Sequence, residues 1–373
     1  MKILLLGEYS NVHNTLAQGL RELGHSVTVA SDGDSWKDYP RDIDLHRDLN
    51  SRFGRLSFLI RLLRALPRMR GYDIVQIINP IFVELKAGRI MPIYRYLRRH
   101  NGKMVLGAFG MDHYWVKVNT DLRPLRYSDF NFGDSPRTDW EARRFHEEWI
   151  GTGKERLNRQ IAADCDGIAA GLYEYWATYN QVTETGSDSR PIREKMQFIP
   201  FPIKADDDVT IRKHSGPLRI FAGISRGRSA YKGTDIMLRA AQDLEARYPD
   251  LVKVQTVQGV PFDEYCRLLE GSDLILDQLY SYTPAMNSLL AMSKGIVNVG
   301  GGEPENYGIL GEDRLRPIIN VLPTYESVYS ELEKAALHPQ TVDSLKVQSV
   351  EYVRKHHDYL KVARQYLEFY SKL

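Results

Sequence analysis

The chain has 373 residues, which is too long for one ordinary hydrophobic core and predicts two domains. With 43% hydrophobic and 26% charged residues, its composition is that of an average soluble globular protein and excludes disordered, collagen-like and low-complexity architectures. Lys and Arg (50) nearly balance Asp and Glu (48), so the net charge of +2 gives no support to nucleic acid as a partner.

The first half alternates short apolar runs with amphipathic stretches, which is typical of parallel strands covered by helices. It opens as a βαβ unit, with a strand at 2–6, a helix at 15–23 and a strand at 26–30. Further strands are predicted at 74–78, 103–108, 167–170 and 196–199, with basic helical segments between them. Residues 1–203 are therefore predicted to form one Rossmann-like domain.

The second half repeats this pattern after an irregular stretch, predicted as a linker at 204–217. Strands are predicted at 218–222, 252–257, 274–276 and 296–299, and helices at 234–246, 262–269 and 287–292. The second domain is predicted to span 218–349. Apolar residues at helical spacing then predict one or two amphipathic helices over 350–373, which are expected to pack back on the first domain.

The turn after the first predicted strand carries polar side chains and a single glycine, Gly7. A dinucleotide-binding loop needs further glycines, so a nicotinamide enzyme is disfavoured. Ser10, Asn11 and His13 suit hydroxyl-rich ligands, because open α/β sheets bind ligands at the carboxyl ends of their strands. The alternative is an ordinary polar turn in which Ser10 or Asn11 caps a helix.

A basic loop follows the strand that opens the second half. It carries Arg226, Arg228 and Lys232, and a helix is predicted directly after Lys232-Gly233. Cationic side chains and a helix N-terminus can converge on one anion, as a leaving diphosphate requires. The alternative is a solvated basic loop.

Asp112 and His113 follow another predicted strand, and the residues after them are rich in aromatic and acidic side chains. A neutral His113 could donate to a sugar hydroxyl, with Asp112 orienting it. Trp115 and its aromatic neighbours suit an acceptor site that stacks on sugar rings. The alternatives are a polar loop with a satisfied histidine, and aromatics that pack the core.

Residues 50–103 contain twelve Lys or Arg but only two acids, Asp73 and Glu84. Arginines at helical spacing beside leucines predict a peripheral membrane contact through 52–70 and 89–103. The alternative is an amphipathic helix with a solvated arginine face.

Several of these segments resemble the GT-B glycosyltransferases, especially the retaining family 4 group. The similarity is carried by the strand ending at Gly7, the segments 166–170 and 198–200, and Lys232-Gly233. It is also carried by 290–295, similar to a Glu-Ala-Met-x-x-Gly helix, and by 301–305, similar to a Gly-Gly-x-Pro-Glu turn.

The resemblance implies two Rossmann-like domains that face a central cleft, with the acceptor in the first domain and the donor in the second. The donor would be a nucleotide-diphosphate sugar and the acceptor a glycan or a lipid-linked glycan, with no metal and no further cofactor. Retention of configuration is implied by resemblance alone. The catalytic candidates are Asp112, His113, Arg226, Arg228 and Lys232, and the donor-binding candidates are Gly223, Ser225, Asn287, Ser288, Gly302, Glu303 and Glu305.

The chain departs from the family where an acidic pair precedes the Ala-Met-x-x-Gly segment, because Tyr282 and Leu290 occupy those positions. Leu290 cannot hydrogen-bond a ribose diol. Two alternatives therefore stay open beside a glycosyltransferase: a sugar-nucleotide epimerase of the same fold, and a catalytically degenerate module that binds a glycan or a partner.

The spacing of the cysteines and the length of the apolar runs indicate in which cellular compartment the protein is expected. Cys165 and Cys266 show no disulfide or metal spacing, which suits a reducing compartment. The apolar run after Lys2 is too short for a signal peptide, and no run reaches the roughly 18 residues of a membrane span. The cytoplasm is expected, either free or at the inner face of the membrane.

Overall fold

A seven-stranded parallel sheet organises the first domain of the computed structural model, which describes residues 1–48, 54–224 and 229–373. The sheet order is β3-β2-β1-β4-β5-β8-β9, and β6 and β7 form a separate hairpin. The strands are β1 (Lys2–Leu6), β2 (Ser26–Ser31), β3 (Ile43–Asp44), β4 (Ile74–Ile77), β5 (Lys103–Ala108), β6 (Asn131–Phe132), β7 (Ser135–Pro136), β8 (Gly167–Ala170) and β9 (Met196–Phe198).

Helices cover both faces of this sheet, as its buried apolar strands require. They are α1 (Val12–Glu22), α2 (Gly54–Ala65), α3 (Ala87–His100), α4 (His113–Asp121), α5 (Trp140–Trp149), α6 (Gly153–Asp164) and α7 (Tyr173–Tyr179). Helix α1 begins three residues before the predicted start. It does so because Asn11 adopts a left-handed conformation (φ 73°) and the Glu8 carboxylate accepts the otherwise unpaired N–H groups of His13 and Asn14.

A four-stranded parallel sheet of order β11-β10-β12-β13 organises the second domain. Its strands are β10 (Leu218–Ile224), β11 (Val252–Gln258), β12 (Leu274–Leu276) and β13 (Val297–Val299). Its helices are α8 (Ser229–Lys232), α9 (Thr234–Arg247), α10 (Phe262–Leu269), α11 (Met286–Ser293), α12 (Pro304–Leu310), α13 (Tyr325–Leu337) and α14 (Pro339–His356). The prediction of an α/β chain with two parallel-sheet domains is confirmed.

The last helix, α15 (Tyr359–Ser371), packs on α1 of the first domain. At the crossing, a Cβ on Gly19 would lie 2.6 Å from the Tyr359 carbonyl oxygen, so only glycine allows the two helices to approach this closely. The Tyr370 hydroxyl donates to Gln76 Oε1 on β4 at 2.8 Å. The final helix therefore belongs to the core of the first domain.

Candidate functional site

Lys232 lies at the carboxyl edge of the second sheet, where parallel strands place their following loops together. Its ammonium is 3.3 Å from Asp277 Oδ1, and Asp277 follows β12 directly. The Lys232 carbonyl accepts the N–H of Leu279 at 2.8 Å. The predicted cation is therefore anchored by both its side chain and its backbone.

Asp277 is the residue of this edge that sequence reasoning missed. Burial opposes its ionisation, but Lys232 and the side chains of Ser288 and Asn287 outweigh that effect and lower the pKa of Asp277. The Ser288 hydroxyl donates to Asp277 Oδ2 at 2.9 Å. The structure thus brings the predicted Lys232, Asn287 and Ser288 to one buried carboxylate. An acid directly after a short apolar strand was the available signal.

Gly223 lies near the end of β10, beneath an aromatic ring. A Cβ at this position would lie 2.8 Å from Tyr265 Cε2, so the absence of a side chain lets the ring approach the strand. The other predicted residues of this loop, Ser225, Arg226 and Arg228, lie outside the described residues.

Glu303 and Glu305 follow β13 and contact the first domain. Arg126 Nη2 donates to Glu303 Oε2 at 2.5 Å, and Arg126 Nη1 donates to Glu305 Oε1 at 2.5 Å. Glu303 is buried and also accepts the Tyr127 hydroxyl at 2.5 Å. Gly302 donates its N–H to Asn320 Oδ1 at 3.2 Å. Both predicted donor-binding carboxylates are thus engaged in an ion-pair cluster between the domains.

Tyr282, where the resembling family has an acid, is an interdomain aromatic residue. It is 1% exposed, and its ring centroid lies 4.8 Å from that of Tyr127 and 5.8 Å from that of Tyr173. Its hydroxyl accepts the N–H of Arg126 at 2.7 Å. The tyrosine that replaces the acid of the family motif therefore packs between the two domains.

Three first-domain side chains hold the short helix α8, which ends at Lys232. Glu141 Oε2 accepts the N–H of Tyr231 at 2.6 Å, and Asp129 Oδ2 accepts the Tyr231 hydroxyl at 2.9 Å. Arg137 Nη2 donates to the Ala230 carbonyl at 2.8 Å. The first domain therefore holds the two residues that precede Lys232, in addition to the contacts of Lys232 within its own domain.

Asp112 and His113, predicted as catalytic, are buried in the first domain. Asp112 caps α4 by accepting the N–H of Trp115 at 2.8 Å, and it accepts the Tyr179 hydroxyl at 2.6 Å. Burial raises the pKa of Asp112 to about 6. The His113 ring lies against the Trp149 carbonyl at 3.4 Å. The structure thus shows both side chains in contacts within the first domain, and their catalytic role stays a prediction.

His13 and Trp115, predicted to bind acceptor, are also core residues. His13 is fully buried; its Nδ1 donates to the Gly7 carbonyl at 2.8 Å, and its Nε2 lies 3.1 Å from Gln76 Nε2. Trp115 stacks on Tyr175 with ring centroids 4.6 Å apart. Trp115 is 3% exposed and packs in the core of the first domain, and its acceptor role stays a prediction.

Ser10 and Asn11 remain partly exposed at the start of α1. Ser10 donates its N–H to Asp34 at 2.8 Å, and its hydroxyl accepts Lys37 Nζ at 3.0 Å. Beside them is a cavity of about 230 Å³, lined in part by Glu8, Tyr9 and Asp34. Burial raises the pKa of Glu8, which lines this cavity, to about 8. Such a lining suits a hydroxyl-rich ligand.

The basic segment contains an exposed apolar stripe on α2. Leu56, Ile60 and Leu63 are 58%, 41% and 64% exposed and follow helical spacing, while Phe58 and Leu62 on the opposite face are buried. Arg61 turns back to Asp44 and the His46 carbonyl. Among the described residues, no helix combines the length and the apolar character needed to cross a membrane.

No protein-family profile and no curated protein matches the sequence. Solved structures match over the whole chain. HepE from Anabaena, solved with UDP-glucose, is 12% identical with a TM-score of 0.60 over 100% of both chains. Sucrose-phosphate synthase from Thermosynechococcus elongatus is 12% identical with a TM-score of 0.61, over 100% of this chain and 99% of that one. WaaG, a glycosyltransferase involved in lipopolysaccharide biosynthesis, is 12% identical with a TM-score of 0.53 over 98% of each chain. With two parallel-sheet α/β domains matched end to end to such proteins, the chain has the GT-B fold.

Proposed function

We propose that the protein is a glycosyltransferase that moves a sugar from a nucleotide-diphosphate donor to a glycan or glycolipid acceptor. The observation that carries this proposal is the placement of Lys232 beside Asp277 at the carboxyl edge of the second sheet, in a GT-B fold. This edge is where open α/β sheets bind nucleotides. The binding of UDP-glucose by the similarly folded HepE supports a uridine nucleotide as the first donor to test.

In the proposed reaction, the bond between the donor sugar and the diphosphate breaks, and the diphosphate leaves with the bonding electrons. An acceptor hydroxyl forms the new bond to the same sugar carbon and passes its proton to an oxygen of the leaving diphosphate. Lys232, together with Arg226 or Arg228, stabilises the charge that grows on the leaving diphosphate. Ser288 and Asp277 hold Lys232 in place, and the proposal includes retention of configuration and independence of a metal.

The acceptor is proposed to occupy the cavity beside Ser10 and Asn11. Glu8 and Asp34 offer carboxyl oxygens to its hydroxyls. The apolar stripe on α2, flanked by exposed Arg55 and Arg64, supports a cytoplasmic enzyme that contacts the inner face of an anionic membrane. Such a contact would place the enzyme at a lipid-linked acceptor.

The test is calorimetric titration with nucleoside diphosphates. Wild-type protein is expected to bind UDP, and Lys232→Ala is expected to weaken that binding about tenfold to a hundredfold because a charge-assisted contact is lost. Lys334→Ala, which removes an exposed cation from α13 of the same domain, is the matched control and should leave the affinity unchanged.

The alternatives give different results. A catalytically degenerate module, favoured by the engagement of Glu303 and Glu305 with Arg126, would bind no nucleoside diphosphate. An epimerase would bind UDP and convert the donor sugar without any acceptor. Product analysis with and without an added glycan acceptor separates the epimerase from the transferase.

A further inference from the structure

A second cavity opens on the first domain, next to the proposed acceptor cavity. Its volume is about 200 Å³, and it lies between the first turns of α2 and α3. Among the residues that the structure describes, the lining contains four cationic side chains, Arg47, Arg55, Lys86 and Arg89, and one acid, Glu84. Its charge is thus opposite to that of the acceptor cavity, whose lining includes Glu8, Asp32, Asp34 and Glu84.

These cations are available to a ligand. Within the described part of the chain, none of Arg47, Arg55, Lys86 and Arg89 forms an ion pair. The buried Nε of Arg47 has no hydrogen-bond partner there. Guanidinium groups present planar sets of N–H donors that match the oxygens of a phosphate. The lining therefore has the donor chemistry of an anion site.

The backbone adds to this charge. Helix α3 is 14 residues long and begins at the cavity, and its N-cap residue, Lys86, provides no side-chain hydrogen bond. The first N–H groups of such a helix point outward from its N-terminus and favour an anion there. Four side-chain cations and an uncapped helix start thus converge on one small volume.

The surroundings indicate what kind of anion fits. Glu84 lines both cavities, so the cationic cavity adjoins the proposed acceptor cavity directly. On its other side, α2 supplies Arg55 and Phe58 to the cavity and exposes Leu56, Ile60 and Leu63 to solvent. The order along the surface is therefore hydroxyl-binding cavity, cationic cavity and apolar stripe.

We propose that the cationic cavity binds the phosphate or diphosphate group of the acceptor. The acceptor glycan then lies in the cavity beside Glu8, and an attached apolar chain lies along Leu56, Ile60 and Leu63. This assignment rests on the proposed function for the existence of an acceptor, but the cavity can be tested without turnover.

The experiment measures binding to the full chain by calorimetry, with farnesyl diphosphate below its micelle concentration, inorganic diphosphate and farnesol as probes. Saturating UDP occupies the donor site during these titrations. Arg55→Ala with Arg89→Ala is expected to weaken farnesyl diphosphate binding about tenfold or more, because two charge-assisted contacts are lost. Arg193→Ala with Arg364→Ala, which removes two exposed arginines elsewhere, is the matched control and should change nothing.

The outcomes are distinct. Tighter binding of farnesyl diphosphate than of inorganic diphosphate identifies a lipid-linked acceptor, whereas equal binding identifies a soluble phosphorylated one. Equal affinity of the wild type and the Arg55/Arg89 variant for every probe overturns the proposal. Arg55→Lys with Arg89→Lys is expected to recover part of the affinity for farnesyl diphosphate. Such a recovery shows that the alanine variant binds weakly because it lacks the two charges, and not because it is misfolded. If the wild type binds no UDP, the proposed function is contradicted. The affinities of the wild type and the Arg55/Arg89 variant for the three probes can still be compared, so the proposal for the cationic cavity is tested separately.

Discussion

At the scale of single residues, His13 shows how the first strand-to-helix turn uses its polar side chains. The imidazole is fully buried between the Gly7 carbonyl and Gln76, and burial lowers the pKa of His13 to about 4. An unfolded histidine titrates near its ordinary pKa of about 6.5. Between these two values the unfolded chain binds more protons than the folded one, so acidification through this window destabilises the fold.

We therefore expect the free energy of unfolding of His13→Gln to fall less steeply than that of the wild type between pH 6.5 and pH 4. The contribution of His13 is at most about 1.4 kcal/mol per pH unit in this window. Urea unfolding at pH 7 and at pH 5 gives the change in the free energy of unfolding for each protein, and the wild-type change minus the variant change is the contribution of His13. His338→Gln, at an exposed histidine, should keep the wild-type slope. An unchanged slope in His13→Gln would contradict the buried, neutral state of this ring.

At the scale of elements, the short helix α8 carries Lys232 of the proposed donor site and also contacts the first domain. Only four residues long, it cannot hold its own geometry, since isolated helices of this length are unstable. Glu141, Asp129 and Arg137 supply the contacts that it lacks. We therefore expect contact between the domains to help hold Lys232 in its position.

Glu141→Ala is expected to weaken UDP binding about tenfold although Glu141 lies outside the nucleotide site, because the partly buried N–H of Tyr231 loses its acceptor and α8 loses one of its contacts with the first domain. Titration with UDP measures this effect. Glu147→Ala, at an exposed position of the same helix α5, is the control and should bind as the wild type does. If both variants bind UDP normally, α8 is positioned by the second domain alone.

The sequence was most informative where short apolar runs form buried strands. Strands β8 and β12 and helix α10 have the predicted bounds, because each apolar run ends at a polar residue or glycine that also ends the element. Strand β5 also has its predicted bounds. The two-residue strand β3 is too short for any periodicity and was missed. The start of α1 was missed because Glu8, outside the helix, provides its cap.

The candidate site was less predictable than the fold. Lys232 lies in the connection after β10, and Asn287 and Ser288 lie in the first turn of α11, so the topology of the sheet brings them to one edge. The pairing of Arg126 with Glu303 joins residues 177 positions apart, and no local pattern reports it. The burial of His113 and Trp115 depends on the packing of α4 against α5–α7, which residue type alone does not reveal.

At the scale of the whole molecule, one buried carboxylate joins the two domains. Glu174 on α7 accepts four hydrogen bonds from the loop 281–283: Ser281 Oγ at 2.8 Å, Tyr282 N at 2.7 Å, Thr283 N at 3.2 Å and Thr283 Oγ1 at 2.5 Å. Since a carboxylate has about four acceptor positions, its capacity is fully used across the boundary. Opening of the cleft at this point would leave a buried charge without partners.

Glu174→Ala is expected to destabilise the domain interface by about 3 kcal/mol, because four buried donors lose one shared acceptor. Hydrogen exchange in the loop 279–286 should become faster than in the wild type, while exchange in β1 stays slow. Glu194→Ala, at an exposed glutamate of the first domain, should leave both unchanged. Wild-type protection of the loop in Glu174→Ala would show that Arg126 and the tyrosines hold the boundary without it.

The packing of α15 against α1 also constrains how the protein forms during translation. Residues 359–371 leave the ribosome after all strands of the second sheet, yet they cover Gly19 and contact Gln76 near the beginning of the chain. The first domain consequently keeps an uncovered apolar surface until residues 359–371 have been synthesised, and the second domain can finish folding before then.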